Sequence, residues 1–112
     1  MKITFKGTEY DMGTNLRVAY EVQADFNHKP YQEIFAGINT SKIEDQVRVL
    51  YASFRSKNKG VVTYKEFLDE LLDNWALHDV MALINDLIEG ITFNGMTPEQ
   101  IEKIQAKADG KN

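Results

Sequence analysis

The chain has 112 residues, with 13 Lys and Arg against 17 Asp and Glu for a net charge of −4, 43% hydrophobic and 27% charged residues, and no Cys. That length allows one domain with a modest core, and the composition is that of a folded globule, neither disordered nor fibrous. The acidic balance argues against a nucleic-acid surface, and the missing cysteines exclude disulfides, thiolate metal sites and cysteine nucleophiles.

At the N-terminus Ile3 and Phe5 alternate with Thr4 and Lys6, and beyond Gly7 Tyr10 and Met12 alternate with Glu9 and Asp11. This spacing predicts a β-hairpin over residues 1–13 that turns near Lys6-Gly7. Two strands are marginal by themselves, so the hairpin must rest its apolar face on helices. From Thr14 to about Lys29 the residues Leu16, Ala19, Tyr20, Val22 and Phe26 recur as one face of a first helix, which Pro30 stops. Pro30 also opens a short helical turn, PYQEIFAG, ended by Gly37. Ser41-x-x-Glu44 has the pattern of a capping box, and Ile43, Val47, Leu50, Tyr51 and Phe54 follow at helical spacing, predicting a helix over about 41–57.

The next stretch, RSKNKGVVTYKEFLDEL at 55–71, has the outline of a calcium-binding EF-hand loop: Gly60 at its sixth position, Val62 at the eighth, Glu66 at the twelfth. The first, third and fifth positions are Arg55, Lys57 and Lys59. An ammonium or guanidinium carries donors only and repels a dication, so calcium binding is disfavoured. Thr63-x-x-Glu66 reads instead as a capping box that opens a helix.

Tyr64, Phe67, Leu68, Leu71, Leu72 and Trp75 make one stripe, and Leu77, Val80, Met81, Ile84, Leu87 and Ile88 make another before Gly90. On a single continuous helix the two would lie on opposite sides, which predicts a break between Asp73 and His78. Ile91-Thr92-Phe93-Asn94-Gly95 echoes Ile3-Thr4-Phe5-Lys6-Gly7, which reads as chance reinforced by shared strand-then-turn chemistry, with a small third strand beside the hairpin as the alternative. Thr97-Pro98-Glu99-Gln100 starts a last helix, and the final few residues should fray. The expectation is therefore a mainly α fold of about five helices with a short N-terminal hairpin. Residues 1–95 form the compact domain, and 96–112 a weakly docked helix and tail.

Chemistry is sparse. His28 and His78 stand in different elements without a His or Cys neighbour, and Asp69, Glu70 and Asp73 lie off the apolar stripe of their helix. Glycines are scattered singly, so neither a phosphate loop nor a nucleophile elbow is present. No catalytic residue, cofactor or metal is assigned, and an enzyme is disfavoured. The alternating N-terminus carries no apolar run, and no later segment approaches the roughly 18 apolar residues of a membrane span. A soluble intracellular protein, with neither nucleic acid nor membrane as partner, is the expectation.

The order of elements, with "QVRVLYASFRSKNKG" leading into "VTYKEFLDELLD", resembles the tail assembly chaperones of long-tailed phages and prophages of Gram-positive bacteria. The matching residues are Leu50, Tyr51, Ala52 and Phe54, then Thr63, Tyr64, Glu66, Phe67 and Leu68, and the likeness covers about residues 1–90. The resemblance implies a non-enzymatic protein of the host cytoplasm. It would bind the tape measure protein, keep it soluble and help recruit tail tube subunits, with self-association as a further mode. The alternative from the residues alone is a degenerate EF-hand-like or small helical adaptor or regulator.

The partner surface is assigned to Leu77, Val80, Met81, Ile84, Leu87 and Ile88, together with Ile101 and Ile104. Residues 97–108 offer only Ile101, Ile104 and Ala108 as an apolar stripe, too little to anchor a helix firmly. The C-terminal helix is thus expected to act as a lid over the Leu77 to Ile88 stripe.

Overall fold

The computed structural model describes residues 1–109 and the side chains of residues 1–107. The predicted fraying of the last residues and the Ala108 side chain lie outside what is described. Strands β1 (Lys2–Phe5) and β2 (Thr8–Asp11) pair antiparallel, with Phe5 opposite Thr8. Lys6 and Gly7 between them are both left-handed, at φ 49° and 83°. That is the mirror-image turn whose twist suits a two-residue hairpin. Ile3 and Phe5 are buried while Lys2 and Thr4 are exposed, so the alternation in the sequence becomes a packed face and a solvated one.

The chain is mainly helical. Among the described residues there are six α-helices: α1 (Leu16–Asp25), α2 (Tyr31–Gly37), α3 (Ile43–Lys57), α4 (Tyr64–Asn74), α5 (Leu77–Thr92) and α6 (Pro98–Asp109). A 3-10 turn, Ile38–Thr40, joins α2 to α3. Helix α3 is the axis of the core: Val47, Val49, Leu50, Ala52, Ser53 and Phe54 are all fully buried, and α1, α4, α5 and β2 pack around it. Phe54 meets Tyr10 edge-on at 5.2 Å and Phe67 at 5.3 Å, and Phe5 stacks on Phe67 at 5.9 Å, so the hairpin sits on an aromatic floor. The exit from the hairpin is fixed by a reciprocal pair. Gly13 N–H donates to Ser53 O at 3.0 Å, and the buried Ser53 hydroxyl donates to Gly13 O at 2.6 Å.

Several expectations change in three dimensions. On α1, Leu16 and Tyr20 are 69% and 67% exposed, and Val18 takes their place in the core. The helix ends at Asp25 instead of Lys29, because Asn27 and His28 turn left-handed and His28 N–H reaches back to Gln23 O at 2.7 Å. Ser41 does not cap α3. Its hydroxyl donates to Ile38 O at 2.8 Å, which leaves Lys42 as the residue before the helix. Residues 91 and 92 continue α5 and form no third strand. Gly90 lets α5 pass close to Thr14, and Ile91 is buried as the next residue of the core face.

The break between the two apolar stripes falls where the geometry requires it, α4 ending at Asn74 and α5 starting at Leu77. Thr63 and Glu66 form the capping box at the start of α4: Glu66 N–H donates to Thr63 Oγ1 at 3.2 Å, and Thr63 N–H donates to Glu66 Oε1 at 3.0 Å. Hydrogen bonds from the Thr63 backbone and then its hydroxyl hold the Glu66 carboxyl below its ordinary 4.5. A lowered folded value means the contribution is present above pH 4.5 and is lost as pH falls through the folded pKa. Acid titration by NMR should therefore show the Thr63 amide shifting below pH 4.5, and Glu66→Gln should abolish that response. An unchanged titration in the variant would contradict the assignment.

Candidate protein-binding groove

Three helices end or begin at one corner of the fold. Ile43 opens α3, Leu72 lies in the last turn of α4, and Leu77 opens α5; they are 53%, 54% and 55% exposed. With half-buried Trp75 they surround a hollow of about 90 Å³ whose walls include Val47, Leu71 and Val80. Its sequence origin is simple. Ile43 and Leu77 continue their core faces past the end of the core, and Leu72 stands about 100° round the helix from buried Leu71.

Gln46 also lines this hollow and is buried. Its Nε2 donates to Ile38 O at 3.0 Å, while its Oε1 is buried without a hydrogen-bond partner among the described residues. A buried acceptor left alone costs about 1–3 kcal/mol. Ile38 O also accepts from Ser41 N and Ser41 Oγ, so removing the Gln46 amide leaves no orphan carbonyl. Gln46→Met, similar in length, should thus leave stability unchanged or raise it by about 1 kcal/mol in urea denaturation. A loss of 2 kcal/mol or so would mean that Oε1 has a partner.

Of the residues assigned to a partner surface from sequence, only Leu77 opens onto this corner as an exposed side chain. Val80, Ile84 and Leu87 are core residues of α5, and Met81 and Ile88 are half-buried. The core, chiefly α3 and α1, covers that stripe. Ile101 instead borders a separate hollow with Thr14, Gly90 and Phe93, and Ile104 is exposed. Among the described residues, the two hollows bordered by Leu77, Val80 and Leu83 have no α6 residue in their walls, so α6 is no lid over the Leu77 to Ile88 stripe.

A second cleft, of about 180 Å³, is lined by Asp25, Arg48, Tyr51, Arg55 and Tyr64. The two guanidinium groups lie over the Tyr64 and Tyr51 rings at 5.7 Å. Arg55 is bound by Glu21 at 3.1 Å and Asp25 at 3.4 Å, and Arg48 by Glu44 at 3.5 Å, so the cationic charge is already answered from within. Burial pushes the Tyr64 phenol up, and Arg48 opposes it. Among the described residues, Tyr64 Oη meets no partner at hydrogen-bond distance and angle. The cleft is a strut between α1, α3 and α4.

No family model matches the chain, and no curated protein or solved structure matches it. Function is read from the chain's own chemistry. Arg55 and Lys57, the first and third positions of the calcium-loop outline, are residues of α3, and Glu66 is occupied in its cap. Asp69 is paired with Lys65 at 2.9 Å, Glu70 accepts from Asn74 at 3.0 Å, and His28 and His78 are exposed in different elements. Among the described residues no three His, Cys, Asp or Glu side chains are grouped to hold a metal ion, and no helix is long and apolar enough to cross a membrane.

Proposed function

We propose that this chain is a non-enzymatic assembly chaperone of the phage-tail kind, which holds an apolar helical segment of a tape measure protein at the Ile43, Leu72 and Leu77 corner. The observation that supports it is that corner: exposed aliphatic side chains from three helices around an apolar-lined hollow. An amphipathic helix with i, i+3 or i+4 apolar anchors fits such a depression. One such corner is small and binds weakly. Several copies along one long partner gain avidity through effective concentration, which suits a chain that must be kept soluble until tail tube subunits arrive. The proposed place of action is the host cytoplasm.

Coexpression with the tape measure protein of the same phage, followed by copurification, tests the reading. The parent chain should raise the partner's solubility and copurify with it. The double substitution Leu72→Asp, Leu77→Asp should abolish copurification while the melting temperature stays within a degree or two, because both side chains are already exposed. Failure of the parent to copurify, or undiminished capture by the double variant, would refute it.

A further inference from the structure

The rest of the chain treats the two outer edges of the hairpin differently. Phe5 faces Thr8 next to the two-residue turn, and Met12 N–H donates to Met1 O at 2.6 Å, so the hydrogen-bonded pairs are Phe5 with Thr8, Ile3 with Tyr10 and Met1 with Met12. The peptide groups of Lys2 and Thr4 therefore point away from β2, and those of Glu9 and Asp11 away from β1. On the β2 side, Asn58 at the end of α3 occupies one position of the edge by donating its Nδ2–H to Asp11 O at 2.7 Å. On the β1 side, among the described residues, no hydrogen bond reaches the backbone of Lys2 or Thr4.

Beside that open edge runs a groove of about 420 Å³, with Lys2 to Thr4 on one wall and Trp75, Leu83, Asp79 and Asp86 on the other. Its cation, Lys2, is bound to Asp11 at 2.6 Å. Asp79 and Asp86 enter no ion pair among the described residues. The groove thus combines a row of unpaired strand amides and carbonyls, an apolar floor and a net negative wall. An unpaired strand edge is a template for another strand.

We propose that β1 accepts a third strand from another polypeptide: an extended segment with apolar side chains for Trp75 and Leu83 and Lys or Arg side chains for Asp79 and Asp86. Main-chain bonds to Lys2 and Thr4 supply affinity, and the groove supplies selectivity. The two carboxylates are seven residues apart on α5, about 10 Å along its axis. Side chains on one face of an extended chain recur every second residue, about 7 Å apart, so long basic side chains at alternate positions of the incoming segment span the two carboxylates. The site is independent of the tape measure reading and shares only Trp75 with the apolar corner.

The probe is an alternating Lys–Val peptide of about ten residues, titrated into the full chain by NMR and calorimetry, beside a Glu–Val peptide of equal length and a Lys–Val peptide N-methylated on the amides that would face β1. Binding of the first should slow amide exchange at Lys2 and Thr4, and N-methylation should weaken it about 10-fold or more through lost main-chain bonds. The Glu–Val peptide should not bind. Thr4→Pro removes an outward N–H that the hairpin ladder does not use and should weaken the Lys–Val peptide similarly. Should Thr4→Pro fail to fold, the N-methylated peptide still decides. No binding of the Lys–Val peptide, equal binding of the N-methylated or Glu–Val peptide, or unprotected Lys2 and Thr4 amides would overturn the proposal.

Discussion

Phe54→Ala should destabilise the fold by about 3–5 kcal/mol in chemical denaturation, the cost of emptying a buried phenylalanine site. Phe54 is fully buried, and its ring meets Phe5 at 6.3 Å, Tyr10 at 5.2 Å, Tyr51 at 6.3 Å and Phe67 at 5.3 Å. Those neighbours come from both strands and from α3 and α4, so the cavity cannot be closed by shifting one element. A domain of this size has about 5–15 kcal/mol in total. The hairpin, which cannot persist without a floor, should lose its protected amides first. Tyr20→Ala, on an exposed face of α1, should move stability by no more than about 0.5 kcal/mol. A Phe54→Ala cost under about 1 kcal/mol would mean that the aromatic cluster does not hold the hairpin.

Gly90→Ala is expected to destabilise although alanine is the better helix former. A Cβ at position 90 would stand 2.8 Å from Thr14 Cβ and 3.0 Å from Thr14 Cγ2. Thr14 Cβ is attached directly to the backbone entering α1, so a whole segment must move, at about 1–3 kcal/mol. That outweighs the gain of about 1 kcal/mol from replacing glycine within a helix. On a Thr14→Gly background the obstruction is gone, and the same substitution should become stabilising. The double-mutant cycle reads the contact directly. Gly37→Ala is the control, since nothing lies within 4 Å of its added Cβ and it should be neutral or slightly stabilising. Equal effects of Gly90→Ala on both backgrounds would rule out the close approach at Thr14.

The residues behind the family resemblance have a common explanation in the fold. Leu50, Ala52, Phe54 and Phe67 are fully buried, and Tyr51 donates its hydroxyl to Val62 O at 2.7 Å, tying the loop before α4 to α3. Thr63 and Glu66 cap the helix that brings Phe67 to Phe54. The likeness is thus a pattern of packing between α3 and α4. Packing patterns carry a fold, and a partner site needs exposed residues that such a pattern does not specify.

By itself the sequence determined what depends on near neighbours in the chain. The hairpin turn at Lys6 and Gly7, the Thr63 to Glu66 cap, the start of α6 at Pro98 and the break between α4 and α5 all follow from local sterics, capping and 3.6-residue periodicity. Which members of each apolar stripe are covered was decided only by tertiary structure. Periodicity gives the direction of a side chain and says nothing about where the neighbouring element ends, so Ile43 and Leu72, which read as members of core stripes, emerge beside Leu77 as an exposed corner. The same holds for Gly90, whose missing Cβ matters only because Thr14 arrives there from 76 positions away in the chain. The difference between the hairpin's two edges is likewise set by packing, since both strands carry outward-facing groups and the end of α3 brings Asn58 to Asp11 O on β2 alone.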